Sequence, residues 1–306
     1  MTLRIAAGVV VVLLVLLVLW LWTPDRDRAS LETVYLRAPT DLLQIAGQRL
    51  HVRDSGPRNA PAIVMVHGFG SSLHTWEGWA RELSKTHRVV RFDLPGSALS
   101  DPDPSSDYSD ARTLVLMLAL MDQLGIAKAD VVGHSIGGRI AWTFAARHPE
   151  RVERLVLLSP DGFAGPGAGY GKPPEVAFAL HLMRFVLPKP LLRMNLEPAY
   201  ANPAVMDDAL ATQYHDLMLA PGSRKALLAR MQQAVLLDPL PLLSRIQAPT
   251  LLLWGEKDAF IPVSNAERFV RAMPHCTLVT LPGVGHVPQE EAEAAALALV
   301  RKFLLP

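Results

Sequence analysis

Residues 130–138 read Asp-Val-Val-Gly-His-Ser-Ile-Gly-Gly, a β-branched apolar run that closes on Gly133-His134-Ser135-Ile136-Gly137 and passes into a helical pattern. The spacing predicts strand, sharp turn and helix, with Ser135 at the apex. Side chains two before and two after such an apex would collide, so Gly133 and Gly137 are the residues the turn requires. Ser135 itself is expected in a strained backbone conformation costing roughly 1–3 kcal/mol. In return its Oγ stands clear of the sheet, and the N–H of Ile136 lies free at a helix N-terminus. The pentapeptide alone also fits a glycine-rich turn with no chemistry, so the rest of the chain has to decide.

Outward from this stretch, strands and helices alternate. Asp41 to Asp54 reads as a hairpin turning at Ala46-Gly47. Ala62 to Val66 is a continuous apolar run, as a strand buried on both faces should be, and it ends in His67-Gly68-Phe69-Gly70. Arg88 to Phe92, Val131 to Gly133, Leu155 to Leu158, Pro249 to Trp254 and Thr277 to Leu281 read as further strands. Helical patterns lie between them, at Trp76 to Ser84, Tyr108 to Leu124, Gly137 to Arg147, Val263 to Met273 and Gln289 to Leu304. The alternation predicts an α/β fold, a mostly parallel twisted sheet with helices on both faces. Residues 163–244 break the rhythm. They begin Pro/Gly-rich, a flexible connection by composition, and continue as Leu-, Met- and Ala-rich helical patterns without a clear strand. The expected core is therefore residues 41–162 and 245–306, with 163–244 a helical insertion.

Composition narrows the function. The chain has 306 residues, half of them hydrophobic, enough for a large core. Lys plus Arg is 30 against 29 for Asp plus Glu, so no basic field marks a nucleic-acid partner. One cysteine, Cys276, excludes an internal disulfide, and no histidine spacing marks a metal site. No cofactor and no metal are expected.

Residues 5–22 hold no charge and end in Trp20 and Trp22. A helix of that length spans roughly 27 Å, close to the ~30 Å hydrocarbon core of a bilayer. No small-residue cleavage site follows it. The expectation is an uncleaved transmembrane anchor over residues 1–22, then a linker over 23–40, which makes the membrane a partner. Charges on either side, Arg4 against Arg26 and Arg28, set the orientation weakly; the short N-terminal tail favours a catalytic domain on the extracytoplasmic side.

In this type of sheet, active groups gather beyond the carboxyl ends of the strands. Those ends carry Phe69, Ser135, Asp258 and His286, with Asp258 four residues past one strand and His286 five past another. A serine hydroxyl needs a histidine to take its proton, and the histidine needs a carboxylate to hold its tautomer. The backbone N–H groups of Ile136 and Phe69, the latter just past Gly68, would face a developing oxyanion. Losing one such donor typically costs about 2.7–4 kcal/mol. Asp161, past the strand after Ser135, is a rival carboxylate.

On His67-Gly68-Phe69-Gly70, Asp93-Leu94-Pro95-Gly96, Gly133 to Gly138, Gly255-Glu-Lys-Asp258 and Gly283-Val-Gly-His286, residues 40–306 resemble an α/β-hydrolase. The resemblance implies Ser135 as nucleophile, Asp258 as acid, His286 as base and the helical insertion 163–244 as a cap over the site. The family loop after Asp93 has a second glycine where this chain has Ala98. With the apolar N-terminus, the chain is also similar to membrane-anchored monoacylglycerol lipases and to bacterial lipases with this histidine-glycine loop. The implied activity is hydrolysis of carboxylic esters with apolar acyl groups, on a small-molecule or lipid substrate. The same three residues serve carbon–carbon or amide hydrolysis as an alternative, and a non-catalytic scaffold would instead show a broken triad.

Overall fold

Ala62–Val66 (β3) lies at the centre of an eight-stranded sheet in the computed structural model, which describes residues 2–165 and 169–304. Side chains at 2–4, 14 and 17 also lie outside that description. The other strands are β1 (Leu42–Ile45), β2 (Gln48–Ser55), β4 (Arg88–Phe92), β5 (Ala129–His134), β6 (Val152–Leu158), β7 (Thr250–Gly255) and β8 (Cys276–Leu281). Their order is β1-β2-β4-β3-β5-β6-β7-β8. The β1–β2 and β2–β4 pairs are antiparallel, and the pairs from β4 through β8 are parallel. Their turn, at Ala46 and Gly47, takes positive φ at both residues, as a two-residue hairpin requires.

After β3 the chain steps outward to β4, then returns to lay β5 on the other side of β3. That reversal opens a crevice at the carboxyl ends of β3 and β5. Every residue of β3 is buried, yet its period of two still sorts the side chains. Val64 and Val66 join one core layer, and Ile63 and Met65 join the other. The first layer is closed by helices α4 (Asp110–Gln123), α5 (Ile136–Arg147), α10 (Leu240–Leu243) and α11 (Ser264–Ala272). The second is closed by α3 (Glu77–Leu83) and α13 (Glu293–Leu304), with Trp76 and Trp79 fully buried. Burying an apolar side chain of this kind stabilises by roughly 1.5–3 kcal/mol.

Between β6 and β7 the described residues form helices only: α6 (Phe178–His181), α7 (Lys189–Leu196), α8 (Asp208–Met218) and α9 (Ser223–Gln233), besides α10 and short 3₁₀ turns. Residues 166–168 of its Pro/Gly-rich start lie outside the described residues. Small clusters of its own tie this segment together, and one of them includes Val287 from the loop after β8. The long helix expected at the C-terminus is two, α12 (Pro288–Glu291) and α13.

Two N-terminal expectations change. Residues 23–40 are not a plain linker: they hold α2 (Arg28–Tyr35), capped by the Asp27 side chain, which accepts from Ser30 N–H. Leu31 of this helix is fully buried against Ala98, Leu99, Leu217 and Ala220. The membrane anchor and the extracytoplasmic placement are also corrected. Helix α1 runs Thr2–Leu21, and among the described residues no helix is long and apolar enough to cross a membrane. The expected span also ends differently. Trp22 leaves the helix, bridges Val186 and stacks on Phe185 with ring centroids 5.6 Å apart, while Thr23 N–H donates to Phe185 O at 2.8 Å. Trp22 thus meets a protein partner where an interfacial anchor was expected. Apolar side chains described along α1 are exposed, and Arg4, used for orientation, is among the side chains outside the description.

Candidate active site

Strand β5 ends at His134, and Ser135 turns the chain into α5 with φ 55° and ψ −121°. A non-glycine residue there is strained, and its surroundings have to hold it. They do so with the Ser135 N–H donating to Leu158 O at 3.0 Å and the Ser135 carbonyl accepting from Arg139 and Asp161. The two glycines are required by contact. A Cβ on Gly133 would lie 2.3 Å from Gly137 O, and one on Gly137 would lie 2.4 Å from the carbonyl oxygens of both His67 and Val66. The elbow therefore packs directly on the end of β3.

That packing brings the β3 loop beside the serine. A Cβ on Gly68 would sit 3.2 Å from Ser135 Cβ. The next residue, Phe69, borders the same cavity as Ser135, and its N–H has no acceptor among the described residues. Ile136 opens α5, so its N–H has no intrahelical acceptor either. His67 braces this loop: its Nδ1 contacts Gly68 O at 2.7 Å, and its Nε2 accepts from Leu94 N–H at 2.9 Å. Burial lowers the pKa of His67.

Asp258 and His286 come from the loops after β7 and β8. Their side chains meet at 2.8 Å, His286 Nδ1 to Asp258 Oδ2. The other Asp258 oxygen accepts from the N–H groups of Phe260 and Ile261, at 2.9 and 2.8 Å. Burial raises the Asp258 pKa, but the hydrogen bond and charge of His286 and the two backbone donors outweigh it, so the carboxyl lies below its ordinary value. With Nδ1 committed to Asp258, Nε2 is the nitrogen left for other chemistry. His286 and Ser135 border one cavity of about 500 Å³. Its remaining wall is mostly hydrocarbon from the β6–β7 segment, including Leu180, Met183, Leu192 and Leu196, and among the described residues no Lys, Arg, Asp or Glu side chain borders it.

The structure places the other candidates elsewhere. Asp161 binds Arg139, which also binds Asp110, so its carboxylate is spent on an arginine. His134 lies under the site, its Nε2 2.8 Å from His286 O. Burial, then repulsion from His286, pushes the His134 pKa down to about 3. The neutral ring has one proton, and the carbonyl contact assigns it to Nε2. The buried, unpartnered Nδ1 beside Gly68 is then a bare lone pair. Sequence reasoning missed Tyr200 and Tyr214, which border the cavity, and Glu290, which joins them from behind. No motif marks them; only the fold brings residue 290 to residues 200 and 214.

Residues 61–293 match a family model described as the alpha/beta hydrolase fold. Over 265 residues the chain is 29% identical to a 2-hydroxy-6-oxo-6-phenylhexa-2,4-dienoate hydrolase of Burkholderia cepacia, covering 84% of this chain and 91% of that one. Among solved structures, the enol-lactonase of Burkholderia xenovorans LB400 superposes with a TM-score of 0.73 at 25% identity, covering 86% of this chain and 99% of that one. A 2-hydroxy-6-oxo-6-phenylhexa-2,4-dienoate hydrolase from Rhodococcus sp. strain RHA1 shares the fold, with a TM-score of 0.74 at 22% identity over 87% and 98% of the two chains. These comparisons add no support to the narrower likeness to membrane-anchored monoacylglycerol lipases.

Proposed function

The chain belongs to the α/β-hydrolase family, and on that premise we propose that it is a serine hydrolase working through Ser135, His286 and Asp258. Ser135 Oγ attacks a substrate carbonyl carbon while His286 Nε2 takes its proton. The N–H groups of Phe69 and Ile136 receive the oxyanion. His286 then passes the proton to the leaving group, and water releases the acyl group from Ser135 by the same steps in reverse order. Asp258 keeps the imidazole in the required tautomer and supports it when charged. One observation carries this reading: Ser135 and His286 border one cavity, with a carboxylate on the far ring nitrogen at 2.8 Å.

The uncharged wall favours an apolar acyl group. For the bond, we put carbon–carbon hydrolysis first. The substrate named for the Burkholderia cepacia relative contains no ester or amide link, so its hydrolysis splits a carbon–carbon bond beside the 6-oxo carbon. A second reading is ester hydrolysis at the same three residues, favoured by the charge-free cavity and by likeness to a lactonase. Rates on a 2-hydroxy-6-oxo-dienoate, on p-nitrophenyl esters of rising chain length and on matched amides decide the bond by kcat/KM. Ser135→Ala is expected to lower kcat by about 10⁴-fold or more on whichever substrate is turned over. Equal turnover by both proteins removes Ser135 from the mechanism.

A further inference from the structure

Asp258 holds the His286 ring from the sheet side. The backbone around that ring is held by a different part of the molecule, the helical segment between β6 and β7. His286 N–H donates to Ala199 O at 2.6 Å. Glu291 accepts from Gly285 N–H at 2.6 Å and from Asn202 N–H at 2.7 Å. The contact is close enough that a Cβ on Gly285 would lie 2.5 Å from Ala199 O.

Glu290 adds a further link. Its Oε1 accepts from Tyr214 OH at 3.0 Å, and its Oε2 accepts from Tyr200 OH. Tyr214 OH in turn meets Ser71 Oγ at 3.4 Å, two residues past Phe69. Both tyrosines and Ser71 border the Ser135 cavity, whereas Glu290 stands behind them. Burial raises the Glu290 pKa, and only hydroxyls, those of Thr75 and the two tyrosines, oppose it; no cation contributes. Glu290 is half-buried, and an acid withdrawn from water in this way is costly unless good donors meet it. Each of the two carboxyl oxygens accepts from one phenol, so the side chain takes both donors at once. An amide in its place accepts from one phenol and must offer an N–H to the other.

We propose that Glu290 is a positioning residue for His286: by clamping Tyr200 and Tyr214 it locks the histidine loop to the helical segment, so that the imidazole is correctly placed only when that segment is docked over Ser135. This rests on the reading of His286 as the base. Its value lies in geometry, since misplacing a reacting group by 1 Å can cost about 10²-fold in rate.

The test compares Glu290→Gln, Tyr214→Phe and the double variant with the wild-type chain and Ser135→Ala, measuring kcat, KM and the thermal midpoint. Tyr214→Phe keeps the ring and removes only the hydroxyl, so it is informative even where Glu290→Gln folds poorly. Each single variant is expected to lower kcat about tenfold with KM changed less than about twofold. The double variant should lose no more than the worse single one, because both break one clamp. Wild-type kcat in the single variants overturns the clamp. So does a loss of kcat that only follows a falling midpoint, with the two substitutions additive. Inactive Ser135→Ala beside fully active clamp variants refutes the clamp alone. An active Ser135→Ala refutes the proposed mechanism, and the clamp with it.

Discussion

Two histidine–aspartate pairs in this molecule have nearly the same geometry and different surroundings. His51 Nδ1 meets Asp93 Oδ2 at 2.7 Å, and His286 Nδ1 meets Asp258 Oδ2 at 2.8 Å. Each aspartate also accepts two backbone N–H groups, Asp93 from Leu73 and Leu99, and Asp258 from Phe260 and Ile261. The difference lies at the second ring nitrogen. His51 is fully buried, and its Nε2 has no partner. His286 borders the cavity that Ser135 also borders. A carboxylate behind a histidine is therefore a way to hold a ring. It becomes part of a candidate active site only where the far nitrogen has both a nucleophile and room for a substrate.

The largest expected effect tests that distinction through catalysis. Asp258→Asn should lower kcat by about 10⁴-fold, because the ring loses the partner that sets its tautomer. In the same turnover assay Asp93→Asn should stay within about threefold of wild type, provided it folds. Similar losses in both would mean that the buried pair also serves the chemistry.

Stability should rank the pairs the other way. Asp93→Asn removes one partner from a fully buried pair and is expected to cost about 3 kcal/mol in urea unfolding. Asp258→Asn should cost less, since His286 borders an open cavity.

Acid should show the same contrast. Burial raises the Asp93 pKa, but the charge and hydrogen bond of His51 and the nearby His67 and His74 outweigh it and bring the carboxyl from 3.8 to about 2. Because the folded value is depressed, this stability is complete above the unfolded pKa and is lost as pH falls from about 4 through about 2. Its size is about 2 kcal/mol. Unfolding free energies measured across that window should be flatter for Asp93→Asn than for wild type; equal slopes would contradict the coupling.

The smallest effect concerns the third carboxylate at a strand end. Asp161 is bound to Arg139, so Asp161→Asn should change kcat/KM by less than about tenfold. A loss as deep as that of Asp258→Asn would make Asp161 the working acid.

Much of the scaffold was legible because it depends on near neighbours. The run Ala62 to Val66 is a strand as expected, Ala46-Gly47 is the expected turn, and Gly133 and Gly137 stand where an elbow packed on a neighbouring strand has no space for a Cβ. Ala98 shows the same logic from the other side. It replaces the family glycine, and it takes φ 49°, the conformation that glycine would occupy without strain. Other features were not legible because distant partners decide them. Helix α2 lies in a stretch too polar to show an apolar face, and distant partners hold it: Leu31 is buried, Arg28 donates to Leu99 O, and Tyr35 OH donates to Asp216. Trp22 could be read as an interfacial aromatic until Phe185 and Val186 were seen beside it.

By itself, then, the sequence determined the alternation of strand and helix, the sharp turn at Ser135 and the short set of polar residues that end the strands. Periodicity, glycine sterics and strand-end position act over a few residues and leave their marks there. Only the tertiary structure decided that Asp258 meets His286 while Asp161 goes to Arg139, and that Glu290 joins two tyrosines 76 and 90 residues away. Ion pairs and buried hydrogen bonds depend on distances of a few ångströms between remote segments, and the order of residues along a chain does not contain those distances until the sheet has closed.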